Sequence, residues 1–217
     1  MKVQDIDMSK YKEGEFGYWW TVTKGNSDIE GQKYNGIIDC SNNELTSLKG
    51  VPKEIQGDYF NCSHNNLTSL ENGPKAVSGF FICSHNNLIS LKGAPKEVGG
   101  YFDCSNNDLI SLEGAPKEVG SYFDCSNNKL TTLKGAPKEI GGFFACSENN
   151  LTSPKGAPKE IRGGFFCKNN PNSHLELEYE IRKENPDLDD EEISILLFQK
   201  TDDISVIPEN IRDFFII

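Results

Sequence analysis

The sequence has few basic residues and no long hydrophobic run. Its 217 residues include 22 lysines and arginines against 33 aspartates and glutamates, which gives a formal net charge of −11. A chain with this charge balance has no basic surface to meet nucleic-acid phosphates, so we expect no direct binding of DNA or RNA. No apolar stretch approaches the roughly 20 residues that a membrane-spanning helix requires, so we expect no membrane contact.

Motifs of targeting and catalysis are also missing. The N-terminal stretch MKVQDIDMSKYKEGEFG has no apolar segment typical of a secretory signal, so we expect a cytoplasmic protein. No two cysteines have the C-x-x-C spacing of a zinc site. There is no P-loop, nucleophile elbow or dinucleotide-binding glycine loop in a suitable context. The sequence therefore predicts a protein that is not an enzyme and holds no metal or cofactor.

The cysteines themselves form the most regular feature of the chain. The first spacing is 22 residues and the next five are 21 residues each. The seven are Cys40, Cys62, Cys83, Cys104, Cys125, Cys146 and Cys167. A single catalytic or metal site does not need such spacing, whereas a stack of repeated structural units does.

Each unit repeats the same residue types at fixed distances from its cysteine. An aromatic or aliphatic residue stands two positions before it; asparagine, two leucines, proline and an aliphatic residue follow at 3, 5, 8, 12 and 15 positions after it. Pro154 replaces one of the leucines. In the central unit these positions hold Phe102, Cys104, Asn107, Leu109, Leu112, Pro116 and Val119.

This pattern predicts a short strand, a turn and an extended return in every unit. Alternation in YFDCS places the phenylalanine and the cysteine on one, inward-facing side of a strand. The asparagine favours a sharp turn, and its amide can bond the backbone of neighbouring coils. Proline in GAPKEV favours an extended return side. Stacked units bury a face that one unit cannot bury alone, with reduced thiols among the core residues.

The frame L-x-C/L-x-x-N-x-L-x-x-L resembles the leucine-rich repeat, in its short bacterial or bacteriophage type. The resemblance covers about residues 37–171. It implies a right-handed repeat solenoid, mainly β, with one sheet of about seven short strands, an extended convex side and about seven coils. For a phage protein it implies the host cytoplasm as the location.

Three functions fit this resemblance. The first is a non-catalytic protein-binding module, such as a phage inhibitor of a host factor or host defence protein. The second is a structural or assembly component. The third is an effector enzyme like the bacterial proteins that join such repeats to a ubiquitin ligase domain with a cysteine nucleophile. The last cysteine, Cys167, lies within the repeats, which argues against the third function.

The two ends of the chain lie outside the repeat. Residues 1–36 include the apolar run Tyr18, Trp19 and Trp20, which we expect to act as an N-terminal cap on the first coil. Residues 172–217 are expected to form an acidic C-terminal cap of two or three short helices. This segment carries 13 acidic and 4 basic side chains from residue 174 onward.

Two surfaces are candidates for binding a partner protein. The first is the exposed sheet face, where aromatic residues stand three positions before five of the cysteines and two adjacent units carry an aspartate one position before; an alternative strand register would turn some of these rings inward. Its residues are Tyr59, Phe80, Tyr101, Asp103, Tyr122, Asp124 and Phe143. The second is the acidic cap, which could meet a basic protein or imitate nucleic acid. Its residues are Asp189, Asp190, Glu191 and Glu192.

Overall fold

A computed structural model describes residues 12–17, 20, 30–201 and 203–212. Over the repeats the chain forms a parallel β-solenoid of about six turns. The solenoid has two seven-stranded sheets, and each repeat contributes one short strand to each sheet. The front sheet contains the strands that precede the cysteines. Its strands are β2 (Ile38–Asp39), β4 (Tyr59–Asn61), β6 (Phe80–Ile82), β8 (Phe102–Asp103), β10 (Phe123–Asp124), β12 (Phe144–Ala145) and β14 (Phe165–Phe166).

The return side forms a second sheet, where the sequence predicted only extended chain. Its strands are β1 (Lys33–Tyr34), β3 (Glu54–Ile55), β5 (Ala76–Val77), β7 (Glu97–Val98), β9 (Glu118–Val119), β11 (Glu139–Ile140) and β13 (Glu160–Ile161). The prolines do not interrupt this return sheet because pairing begins at the residue after each of them. For example, the Lys117 N–H donates to the Lys96 carbonyl at 3.1 Å. The expectation of a single sheet is therefore wrong.

The core between the sheets consists of columns of identical or similar side chains. Phe102, Cys104, Leu109, Leu112 and Val119 are all buried, as the sequence predicted. The buried phenylalanines stack from one coil to the next with ring centroids 5.2–5.6 Å apart. We call them the buried column: Phe60, Phe81, Phe102, Phe123, Phe144 and Phe165.

The asparagine three residues after each cysteine ties neighbouring coils together. The Asn107 Oδ1 accepts a hydrogen bond from the Leu88 N–H at 3.0 Å. Its Nδ2 donates to the carbonyls of Cys83, Cys104 and Ser105, each at 3.1 Å. A buried amide whose groups are all bonded adds specificity to the stack without leaving an unpaired polar atom. The predicted bonding of this amide to neighbouring coils is confirmed.

In every turn, the residue directly before this asparagine adopts left-handed backbone dihedral angles. The residues two positions after the cysteines have φ between 52° and 58°. They are Asn42, His64, His85, Asn106, Asn127, Glu148 and Asn169. Asparagine accepts this conformation more readily than most residues, which explains its frequency there.

All seven cysteines are buried and unpaired, as predicted. The Cys104 Sγ donates to the Asp124 carbonyl of the next coil at 3.3 Å, and Cys125 bonds Ala145 in the same way at 3.2 Å. Burial raises the pKa of Cys104 and Cys125 well above their ordinary values, and nearby negative groups raise them further. Reactive thiolates are therefore not available in the folded protein.

The N-terminal end of the buried column is covered by residues before the repeats. Phe16 is fully buried, and its ring lies 6.4 Å from that of Phe60. Trp20 is also buried, and meets Tyr34 edge-on at 5.6 Å. The backbone of Phe16 bonds the first coil, since its N–H donates to the Ser47 carbonyl at 2.9 Å. Tyr18 and Trp19, which the sequence analysis grouped with Trp20, lie outside the described residues.

The C-terminal end is covered by helices, of which two are long. These are α1 (Leu175–Glu184) and α2 (Asp190–Thr201), followed by a 3₁₀ helix (Ile204–Val206) and the short α3 (Glu209–Arg212). Tyr179 of α1 stacks on Phe165 with centroids 4.4 Å apart. It thereby extends the buried column by one ring. No helix in the described part of the chain is long and apolar enough to cross a membrane.

Candidate binding surface

The outer face of the front sheet carries a second column of aromatic rings, one residue before the buried column. We call it the exposed column: Tyr59, Phe80, Tyr101, Tyr122 and Phe143. Phe80, Tyr122 and Phe143 are 42%, 48% and 43% exposed, and Tyr59 and Tyr101 are half-buried. The register therefore turns these rings outward and the neighbouring phenylalanines inward.

The sequence analysis left two apolar residues of this face out of its candidate set. Ile37, at the first coil, is 49% exposed, and Phe166, at the last, is 44% exposed. The Phe166 ring meets Phe143 at 5.3 Å, so it prolongs the exposed column although it stands at a different repeat position. Its position directly before Cys167 gave no signal, because that position holds aspartate, asparagine, isoleucine or alanine in the other units.

Ring contacts join the exposed column in two groups. Phe80 meets Tyr101 at 4.8 Å, and Tyr122 meets Phe143 at 5.1 Å. Among the described ring contacts, none joins Tyr101 to Tyr122 or Tyr59 to Phe80. The exposed column is thus interrupted twice, once near its start and once in its middle.

Glycines in the next coil make room for the stacked rings. A Cβ at Gly100 would lie 2.2 Å from the Phe80 ring, and one at Gly142 would lie 2.5 Å from the Tyr122 ring. The corresponding residue in the coil after Tyr101 is Ser121, which has a Cβ. A glycine at this position is not sufficient for ring contact, because Gly79 follows Tyr59 at the same spacing and no described ring contact joins Tyr59 to Phe80.

Asp103 and Asp124 lie beside the exposed column, directly opposite each other on adjacent strands. Each has a structural role, because one carboxylate oxygen accepts a backbone N–H two residues later. Asp103 bonds Ser105 at 2.9 Å, and Asp124 bonds Ser126 at 2.8 Å. Within residues 30–201, no lysine or arginine forms an ion pair with either carboxylate.

These two carboxylates affect the pKa of Tyr101. The pKa of Tyr101 is raised, first by partial burial and then by the negative charges of Asp103 and Asp124. Two carboxylates without an ion pair therefore place negative charge at the middle of the exposed column. Aromatic rings with unpaired carboxylates beside them provide both apolar contact area and a site for a positive group.

In the acidic cap, the second predicted surface, intramolecular contacts occupy several of the carboxylates. Asp189 and Glu192 form a capping box, with reciprocal bonds to backbone N–H groups at 2.9 Å each. Asp190 forms ion pairs with Lys155 and Arg182, and the hydrogen bond from Lys155 is the largest cause of its lowered pKa. Glu191 is exposed. Part of the charge of this cap thus stabilises the cap itself.

Ion pairs join charged side chains of adjacent coils on the other surfaces. Examples are Glu71 with Lys92 and Glu113 with Lys134, both at 2.8 Å. His64 and His85 stack with centroids 4.2 Å apart and nearly parallel planes. The described residues contain no group of three or more side chains suited to hold a metal ion.

Comparison with known proteins found no matching family model, no matching curated protein and no matching solved structure. The fold nevertheless defines the class of the protein. It is a parallel β-solenoid with a repeat of about 21 residues, followed by the two long helices α1 and α2.

Proposed function

We propose that this chain is a non-catalytic protein-binding module of the leucine-rich repeat kind, and that the exposed column is its binding surface. The observation that carries the proposal is the exposure of a row of large rings, stacked in two groups, on a sheet face that nothing in the described chain covers. Exposed apolar rows of this kind are typical of interaction sites. Rigid aromatic side chains contribute a large share of binding energy at protein interfaces.

The arrangement of the rings favours a protein partner over a sugar or a nucleic acid. Sugars and bases bind to the open faces of aromatic rings. Here the faces of Tyr122 and Phe143 are turned toward each other, with planes 19° apart. At this pair the outward part of the surface is mostly ring edge, which suits apolar side chains. The carboxylates of Asp103 and Asp124 would repel phosphates.

The chemistry of the repeats supports a role without catalysis. The thiols are the most nucleophilic groups of the repeats, and burial raises their pKa and keeps them from solvent. Asp103 and Asp124, the adjacent carboxylates, are each bonded to the backbone of their own turn. Within the binding class, the resemblance to bacteriophage repeats favours an inhibitor of a host factor or defence protein, acting in the host cytoplasm.

Affinity capture tests the proposal. The full chain carrying a tag is mixed with bacterial lysate, and the captured proteins are quantified by mass spectrometry. A variant with Phe80→Ala, Tyr122→Ala and Phe143→Ala should lose the captured partner. The matched control replaces two exposed isoleucines outside the column, Ile89 and Ile110, by alanine and should keep it. Retention of the partner by the triple variant would contradict the proposal.

A further inference from the structure

The middle interruption of the exposed column differs from the other one in its charge. The rings of Tyr101 and Tyr122 are not in contact there, and both coils contribute a carboxylate, from Asp103 and Asp124. At the first interruption, between Tyr59 and Phe80, the corresponding residues are neutral: Asn61 and Ile82. Only the middle interruption combines neighbouring rings that are not in contact with negative charge beside both of them.

The two carboxylates lie close together without a positive neighbour. They are paired across adjacent strands, which are about 4.8 Å apart in a parallel sheet. Like charges directly opposite each other in a sheet are destabilising. Since each aspartate uses one oxygen for its own turn, the second oxygen of each is available to a cation.

Each tyrosine lies on the same face of the sheet as the aspartate that follows it by two residues. Such residues are about 6.6 Å apart along a strand. The distance is short enough for one planar cation to contact a ring and a carboxylate at once. Partial burial of Tyr101 lowers the local exposure to water and strengthens both interactions.

Arginine fits this combination better than lysine does. Its guanidinium is planar, stacks on aromatic faces and donates parallel hydrogen bonds to carboxylates. An ammonium group has a point charge and is more strongly hydrated. We infer that the middle of the exposed column binds an arginine side chain of the partner, between Tyr101 and Tyr122 and against Asp103 and Asp124. This inference rests on the proposed function of the exposed column.

The test uses a random peptide display library sorted on the immobilised full chain. We expect the enriched peptides to contain an arginine flanked by apolar residues. One such peptide is then synthesised with arginine, lysine or citrulline at that position; citrulline keeps the shape and removes the charge. The arginine peptide should bind at least about tenfold more tightly than the citrulline peptide, as expected for charge-assisted hydrogen bonds.

A pair of variants locates the effect on the protein. Asp103→Asn with Asp124→Asn removes both charges and keeps the side-chain oxygen that accepts the N–H of Ser105 or Ser126. This variant should bind the arginine and citrulline peptides about equally. Glu97→Gln with Glu118→Gln makes the same change in charge on adjacent strands of the return sheet and should retain the preference for arginine. Thermal unfolding of all variants verifies the fold.

A third variant tests the aromatic ring. Tyr101→Leu removes the aromatic face and keeps an apolar side chain, so the preference for arginine should weaken. Peptides that require Phe80, Tyr122 and Phe143 but show no preference for arginine would overturn this inference and leave the proposed function standing. If the library yields no peptide that depends on the exposed column, both are overturned.

Discussion

The two aromatic columns of the front sheet occupy adjacent positions in the same strands, yet they follow different rules. The four successive pairs of the buried column from Phe81 to Phe165 have ring planes only 6–10° apart. The exposed column mixes tyrosine with phenylalanine, its planes differ by 19–61°, and it is interrupted. Close packing determines residue type and orientation inside. Close packing does not restrict the exposed column in this way, so its residue types vary and can form a surface specific for a partner.

The largest expected difference between the columns is in stability. Phe123→Ala removes a fully buried ring that contacts rings on both sides, and it should lower the free energy of unfolding by about 3–5 kcal/mol. Tyr122→Ala, one residue earlier, should change it by about 1 kcal/mol or less because the ring is half exposed. Denaturant-induced unfolding of the two variants measures both values. Equal losses would show that the two columns do not differ as described.

A similar contrast holds between the two asparagines of the central turn: Asn107 is buried, and Asn106 is partly exposed. Asn107→Ala leaves the buried Leu88 N–H without its acceptor, and it should cost about 1–3 kcal/mol for that group. Asn106→Gly should be nearly neutral, since its left-handed φ of 56° suits glycine. Chemical unfolding again provides the measurement. A harmless Asn107→Ala would mean that the asparagine ladder does not hold the coils together.

Sequence reasoning predicted the inside of the molecule much better than its outside. Spacing alone identified Phe102, Cys104 and Leu109 as core, because an identical position in every unit has an identical environment in a stack. It did not predict the return sheet, since the proline of GAPKEV favours extended chain and the residues that pair come after it. It also could not locate the interruption between Tyr101 and Tyr122, because contact between exposed rings depends on their orientation in the folded stack.

The cysteines allow a chemical test of the inside. Because burial raises the pKa of these thiols, the native protein should react with a thiol reagent at neutral pH at few or none of its seven cysteines. The denatured protein should react at all seven. Rapid modification of Cys104 or Cys125 in the native state, located by mass spectrometry, would place the cysteine column at the surface.

The smallest expected effect is a pH dependence of stability. It concerns the C-terminal cap and not the solenoid. Hydrogen bonds from Ser205, and then from His174, lower the pKa of Asp203 from its ordinary 3.8 to about 2. Its contribution to cap stability should therefore be complete above pH 3.8 and be lost as the pH falls through about 2. Hydrogen exchange in α1 should be faster in Asp203→Asn than in the parent at neutral pH, and this difference should disappear near pH 2. A difference that grows in acid would contradict the assigned direction.

The most direct test measures the effect of one substitution on both partner affinity and the free energy of unfolding. Tyr122→Ala is compared with the parent chain for affinity toward the captured partner, by calorimetry, and for free energy of unfolding. We expect a loss of binding free energy of about 2 kcal/mol or more, as for an aromatic anchor, and a change in the free energy of unfolding of about 1 kcal/mol or less. Unchanged affinity together with a large loss of stability would show that the exposed column serves the fold and not a partner.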